Sequence, residues 1–515
     1  MKSIKVAPML TALLLLTAAN CEDTGDDDAS TLPGDDDTTP PGDDDTTPPE
    51  TGLTPTPEPG TPTPSPTPAQ TLGVLVHESE TFEGYTLFPP LRYRETYLID
   101  SDGRVVRSWS SQFTPGQSAY LLETGELLRP AYVGDGVNPR FHGGGSAGRI
   151  ERFSWDGALV WEFTISSDMF FSHHDVAPLP NGNVLVLVWE YKTQEEAIEA
   201  GRRPDMVSDE GLWPDHVIEV KPEGPAGGQV VWHWHVWDHL IQDYDETKAN
   251  YGVVEDHPEL IDINYVLQPR TPDWNHCNGI DYNPELDQII ISSRTFSEFW
   301  IIDHSTTVEE ARGHSGGRYG HGGDLLYRWG NPRTYRAGDE SDQQLFYQHD
   351  AQWIDEGLPG AGHILVFNNG ADRPDGEYST VDEIEPPILE DGTYDYTPGT
   401  AYGPEAPTWR YVADPPESFY AANISGAQRL PNGNTLICQG PVGTFWEVTS
   451  EGEVVWKYVS PVIDTGPLAQ GEEVPEGPEG TAQGQMMNAV FKIHRYGPDY
   501  PGLAGKDLTP GDTLE

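Results

Sequence analysis

Apolar and polar residues alternate with a period of two along most of the chain, and the alternation recurs in paired blocks. One block is a strand, a tight turn and a second strand ending in tryptophan. It runs Tyr97–Trp109, Arg149–Trp161, His216–Trp234, Phe299–Trp329 and Phe445–Trp456, with a weaker copy ending at Trp409. Asp102-Gly103, Asp156-Gly157 and Glu451-Gly452 sit between the arms and signal hairpin turns, because glycine takes the positive φ such turns need. The other block is a turn-centred strand pair, clearest at Asp175–Leu185 and Gly426–Leu436, which share Leu-Pro-Asn-Gly-Asn. Looser copies lie at 118–128, 278–290 and 350–365. Six tryptophan-ending hairpins, each with its partner, predict an all-β fold: a six-bladed β-propeller with four strands per blade. The tryptophans are expected between neighbouring blades, where they bury large aromatic area. Gly73–His77 and Ala489–His494 are left over, and are expected to share one blade and close the ring. Inserts at 191–212, 240–272 and 305–323 read as loops or short helices on one rim, where function usually sits.

The first 71 residues lack this pattern. Lys2 and Lys5 precede an apolar run, Met9–Ala19, that is too short to span a bilayer. It ends Ala18-Ala19-Asn20-Cys21, similar to a bacterial lipobox. Residues 1–21 are therefore expected to be a lipoprotein-type signal peptide with lipidation at Cys21; a plain secretory signal is the alternative. On this reading the protein is exported and lipid-anchored in the bacterial envelope, periplasmic or at the outer membrane or cell surface, with that anchor as its only membrane contact. Residues 22–71 repeat Gly-Asp-Asp-Asp-Thr-Thr-Pro and then alternate Thr and Pro. They have too little apolar surface to offset ordering entropy, and are expected to form a disordered, extended linker to the propeller domain at 72–515.

Charge sharpens the picture. With 84 acidic and 29 basic residues the net charge is −55. The linker carries 13 of the acids and no base, and residues 1–21 carry two lysines, which leaves −44 on residues 72–515. Such a surface repels a phosphate backbone, so no nucleic-acid partner is expected. Cys277 and Cys438, the cysteines beyond Cys21, are expected as two separate buried thiols.

The histidines fall at repeat-equivalent positions. His173-His174-Asp175, His276-Cys277-Asn278 and His349-Asp350 each stand just before a turn-centred strand, where the innermost strands of a propeller converge on its channel. The equivalent place before Gly426 holds Ser425. Arg294 ends a strand that otherwise reads as buried, and a buried guanidinium requires an anion: a structural carboxylate or an anionic ligand. Asn369 and Arg373 stand at a similar strand end after His349. His233, His235 and His239 form His-x-His-x3-His, but His239 has left the strand whose one face carries the other two, and no metal site is expected.

These motifs, with the Trp232-x-Trp234 segment running into Asp238-His239 and the C-terminal Arg495–Gly502, resemble the bacterial arylsulfate sulfotransferase family over nearly all of 73–505. The resemblance implies a six-bladed propeller outside the cytoplasm, without cofactor, that moves a sulfuryl group from a small aryl sulfate donor to a phenolic acceptor. It implies that His349 is the nucleophile that becomes sulfated, and that His276, Asn278 and Arg294 bind sulfuryl oxygens. His174 or His173, in ambiguous register, is implied near the donor or acceptor oxygen, with Ser425 near a family hydroxyl. A monomer or homodimer fits equally. A non-catalytic, surface-tethered propeller that binds an anionic or aromatic ligand is the alternative function.

Overall fold

A computed structural model describes residues 70–134, 136–265 and 270–515. The signal, Cys21 and nearly all of the proposed linker lie outside the described residues. Six antiparallel sheets form the blades of a β-propeller. Blade 1 comprises Tyr85–Phe88, Glu95–Ile99 and Val105–Ser110, and blade 2 spans Thr114–Thr164. Blade 3 runs from Phe170–Pro178 to Gly228–His235, and blade 4 from Cys277–Asn283 to Tyr327–Trp329. Blade 5 runs from His349–Trp353 to Trp409–Tyr411, and blade 6 from Gly426–Arg429 to Val454–Val459.

The ring closes from both ends of the chain, in different blades. Gly73–His77 adds a fifth strand to the outer edge of blade 6, with Gly73 opposite Val459 and His77 opposite Trp456. The C-terminal strand His494–Tyr496 fills the innermost slot of blade 1, with Tyr496 opposite Tyr85. This corrects the expectation of a shared closing blade. Blade 6 already has four strands of its own, while blade 1 starts one strand short, so each end takes the edge that is open to it.

The repeated tryptophans join the blades by one recurring bond. Trp109 donates its indole N–H to the Ser154 carbonyl, Trp161 to Gly227, Trp234 to Gly323, Trp329 to Pro404, Trp409 to Ser450 and Trp456 to Ser101, at 2.6–3.0 Å. Each acceptor lies in the connection between the third and fourth strands of the following blade, and the bond from Trp456 leads back to blade 1. A buried indole N–H without a partner would be costly, so the same residue supplies packing and register.

The long inserts are not on one rim. Residues 191–212 join the second and third strands of blade 3, whereas 305–323 join the third and fourth strands of blade 4. Antiparallel neighbours reverse direction at each turn, so these inserts leave from opposite ends of their blades. Cys277 and Cys438 are both buried and unbonded.

Candidate active site

The innermost strands of blades 3, 4 and 5 each slip register at their start: between Ser172 and Val176, between Cys277 and Gly279, and between His349 and Gln352. A bulge re-aims side chains that simple alternation would send to fixed faces. His174, His276 and Asp350 accordingly take left-handed backbone, with φ of 50°, 47° and 55°. Non-glycine residues rarely adopt it, and it clusters at functional sites. The result gathers His174, His276 and His349. The rings of His174 and His276 meet edge to face at 4.7 Å, and Phe491 packs on both His174 and His349 at 6.0 and 6.2 Å.

Each imidazole is held from behind through Nδ1. His349 Nδ1 lies 2.7 Å from Asn369 Oδ1, and the Asn369 amide nitrogen donates to the carbonyls of Ala421 and Ile424. His276 Nδ1 lies 2.5 Å from Asp273, whose other oxygen accepts the Trp189 indole N–H at 2.9 Å. His174 Nδ1 lies 2.8 Å from His173 Nδ1, and His173 Nε2 lies 2.8 Å from Asp215. His173 stacks on Trp189 at 4.1 Å. The register of the pair is thereby settled: His174 meets His276, and His173 stands behind it.

One protonation scheme satisfies all of these contacts. His173 carries its proton on Nε2, the nitrogen 2.8 Å from Asp215, so its Nδ1 accepts from His174 Nδ1–H, and Asp273 and Asn369 accept from the Nδ1–H of His276 and His349. The Nε2 lone pairs of His174, His276 and His349 are then left for chemistry. Among the described residues only that of His349 is capped, by the Ile424 N–H at 3.2 Å. Burial, followed by the neighbouring histidines and Arg294, holds His174 well below the ordinary histidine pKa. Burial, followed by Arg294 and His276, does the same to His349 against the opposing bond from Asn369. Both are neutral nucleophiles or bases near pH 7.

A loop of blade 2 lies on the histidine pair. The His174 N–H donates to the Gly145 carbonyl at 2.7 Å, and a Cβ on Gly145 would sit 2.1 Å from the His174 ring. A cavity of about 290 Å³ opens beside Gly143 and Gly145, with Tyr132, Phe141 and Phe171 among its walls. Beneath the histidines, Lys492 Nζ bridges Asp175 at 2.7 Å and Asp350 at 2.9 Å. These carboxylates follow His174 and His349 in sequence, so the buried ion triad fixes the floor of the site. It also explains Gly426, where a Cβ would lie 2.2 Å from Asp350.

Arg294 takes its backbone from the same place, its N–H donating to the His276 carbonyl at 3.2 Å. Its guanidinium carbon stands 4.6 Å from the centre of the Tyr347 ring. Among the described residues no carboxylate lies within ion-pair distance of it. A family model described as Arylsulfotransferase (ASST) matches residues 93–473, which contain every one of these side chains except Phe491 and Lys492.

The chain belongs to the arylsulfotransferase family.

A search of the curated proteins gives no match. Among solved structures, the arylsulfotransferase-family chain is similar to a Bacteroides caccae protein of unknown function, at 13% identity and TM-score 0.41, over 81% of this chain and 99% of that one. It is also similar to a protein from Lactobacillus plantarum, at 9% identity and TM-score 0.38, over 80% and 99%. Hydrazine synthase of Kuenenia stuttgartiensis is 12% identical with TM-score 0.33, over 60% and 70%. At these TM-scores the likeness carries no functional argument.

Of the remaining residues singled out in this arylsulfotransferase-family sequence, Asn278, Ser425 and Asn369 hold the site rather than line it. Asn278 turns its amide nitrogen onto the Gln348 carbonyl at 2.8 Å, which anchors the residue before His349. Ser425 Oγ accepts the Gly440 N–H at 2.9 Å and shapes the backbone that presents the Ile424 N–H. Asn369 orients His349. Arg373 lies apart, between Phe346 at 5.0 Å and Tyr378 at 4.5 Å. Reading the sequence missed Asp215, Asp273 and the Gly143-Gly144-Gly145 run. The three glycines were the visible signal, since a triple glycine in an otherwise regular repeat marks close backbone approach.

Proposed function

We propose that the protein transfers a sulfuryl group from an aryl sulfate ester to a phenol through a sulfated His349, without a nucleotide donor. The observation that carries this reading is the arrangement of three imidazoles with their Nδ1 sides tied back around an arginine that has no carboxylate partner among the described residues. Such a cluster suits a tetrahedral anion whose charge shifts among its oxygens.

In the first half-reaction His349 Nε2 attacks sulfur, an N–S bond forms and the S–O bond to the aryl group breaks. His349 keeps its Nδ1 proton, so the sulfated ring is an imidazolium that Asn369 stabilises and that leaves readily in the next step. The Ile424 N–H, displaced from Nε2, is then close enough to donate to a sulfuryl oxygen. The aryl oxygen leaves as a phenolate that takes its proton from solvent, and His276 stays neutral; the proton that His276 Nε2 later accepts gives an imidazolium that Asp273 stabilises, as an aspartate does in a catalytic triad, and then passes to solvent. In the second half-reaction neutral His276 removes the proton of the incoming phenol, whose oxygen attacks sulfur and releases neutral His349. Arg294 donates to the sulfuryl oxygens throughout. The cavity walled by Tyr132, Phe141 and Phe171 is suited to the aryl ring.

The test is to mix the protein with p-nitrophenyl sulfate and no acceptor, quench in alkali and map the peptides. One sulfuryl group on the peptide that carries His349, discharged by added phenol, is the expected result. A His349→Ala variant that still binds the ester, alongside wild type that never labels, would favour the tethered binding module instead.

A further inference from the structure

A second cluster lies at the seam between the outer strands of blades 3 and 4, away from the site above. His239 follows the last strand of blade 3, His314 lies in the 305–323 insert, and Asp324 precedes the last strand of blade 4. One potential ligand atom from each falls within 4.8 Å of the others. His239 Nδ1 and His314 Nδ1 both stand 2.8 Å from the same oxygen, Asp324 Oδ1.

The hydrogen-bond accounting of His239 is the informative part. Its Nε2 lies 2.9 Å from the Ala311 carbonyl, which can only accept, so Nε2 carries the proton. In a neutral ring Nδ1 is then a bare lone pair aimed at a carboxylate oxygen, an arrangement that a cation between them would resolve. A ring N–H given to a backbone carbonyl while the other nitrogen faces the centre is also how metal-bound histidines are held. The ring is fixed further: Trp234 stacks on it at 5.6 Å and 8°, and donates to the Gly323 carbonyl. A Cβ on Gly323 would come within 2.6 Å of His239 Nε2, so only glycine leaves room for the ring. Nearby Arg312 is turned to Asp238.

We infer that His239, His314 and Asp324 bind a divalent transition-metal ion, with zinc the best fit to two imidazoles and one carboxylate. A fourth position faces a cavity of about 790 Å³ whose walls include Glu255, Glu259 and His321, where water completes the shell. The ion ties the end of blade 3, the 305–323 insert and the last strand of blade 4 together, and acts as a structural clamp on that seam.

The experiment uses the full chain, purified without a polyhistidine tag, stripped with chelator, loaded with zinc chloride and desalted. About one zinc per chain is expected by elemental analysis, with a thermal midpoint several degrees above that of the stripped protein. His314 is largely exposed, so His314→Ala keeps the fold and is expected to retain less than about a fifth of the zinc and to lose the thermal shift. Wild type that holds no zinc after desalting would overturn the inference and leave His239 as an imidazolium paired with Asp324. So would zinc that survives unchanged in His314→Ala.

Discussion

Asn369 fixes the tautomer of His349. Its amide nitrogen is committed to the carbonyls of Ala421 and Ile424, so only its oxygen faces His349 Nδ1, at 2.7 Å, and only an N–H there can complete the bond. The lone pair is thereby assigned to Nε2. Asn369→Ala removes that choice, and kcat for sulfuryl transfer is expected to fall about 100-fold, by analogy with a triad histidine left in the wrong tautomer. KM for the donor should change little, because Asn369 does not face the substrate. A steady-state kcat and KM pair for this variant checks the claim. A rise in KM at constant kcat would mean that Asn369 binds donor.

Arg294 separates function from stability. It is largely buried, with no ion pair among the described residues, and burial lowers its pKa, opposed by Tyr347 and Asp273. An unpaired buried charge destabilises a fold. Arg294→Met should therefore leave the thermal midpoint unchanged or raise it, by up to about 1 kcal/mol of stability, while reducing kcat about 100-fold or more through loss of oxyanion stabilisation. Thermal denaturation beside a turnover assay checks both halves. A destabilised Met variant would assign Arg294 a structural role.

Much of this was legible in the chain because it is local. Asp102-Gly103 and the alternation around it specify a hairpin wherever they fall, and a tryptophan at the end of each copy counts the blades. The closing strands were misplaced because Gly73–His77 and His494–Tyr496 have no partner nearby in sequence; the edge that each one finds depends on which blade is incomplete. His174, His276 and His349 could be brought together from their repeat positions alone, whereas Arg294 joined them through the family resemblance. Asp215 and Asp273 could not, since their roles depend on which way the side chains turn across a blade boundary. The bulge at Cys277–Gly279 likewise turns Asn278 toward Gln348, which period-two reasoning has no means to foresee.

The ring joint at Trp456 offers a test of closure. Trp456→Phe keeps most of the packing but removes the bond to the Ser101 carbonyl, which leaves a buried acceptor unmet. A loss of about 1–2 kcal/mol is expected in chemical denaturation. Trp409 makes the equivalent bond to Ser450 in a half-buried setting, where water can replace it, so Trp409→Phe should cost less. Equal losses would mean that the indole bond is not what distinguishes the two joints.

The buried histidines predict opposite effects of acid on rate and on stability. His174 and His349 are held neutral in the fold, well below the ordinary histidine pKa, by burial first and then by neighbouring positive groups. Turnover per folded molecule should therefore show no loss for protonation of either group between pH 7.5 and about 5.5. Stability should fall across the acid part of that range. The unfolded chain binds a proton at each of these positions near pH 6.5 and the fold does not, so unfolding takes up protons and is favoured as pH drops. His304 has the other sign. Burial lowers its pKa, but Asp287 and Glu219 outweigh that and raise it to about 9. Its contribution is complete below about pH 6.5 and is lost as pH rises toward 9. The thermal midpoint should thus peak near neutrality, and His304→Gln should flatten the alkaline side alone. Thermal denaturation of both proteins from pH 5 to 9, with turnover measured in parallel, decides the matter. A burst of nitrophenol release, the step in which His349 is the nucleophile, that falls through pH 6.5 in step with a single protonation would show that the burial argued for His349 is wrong.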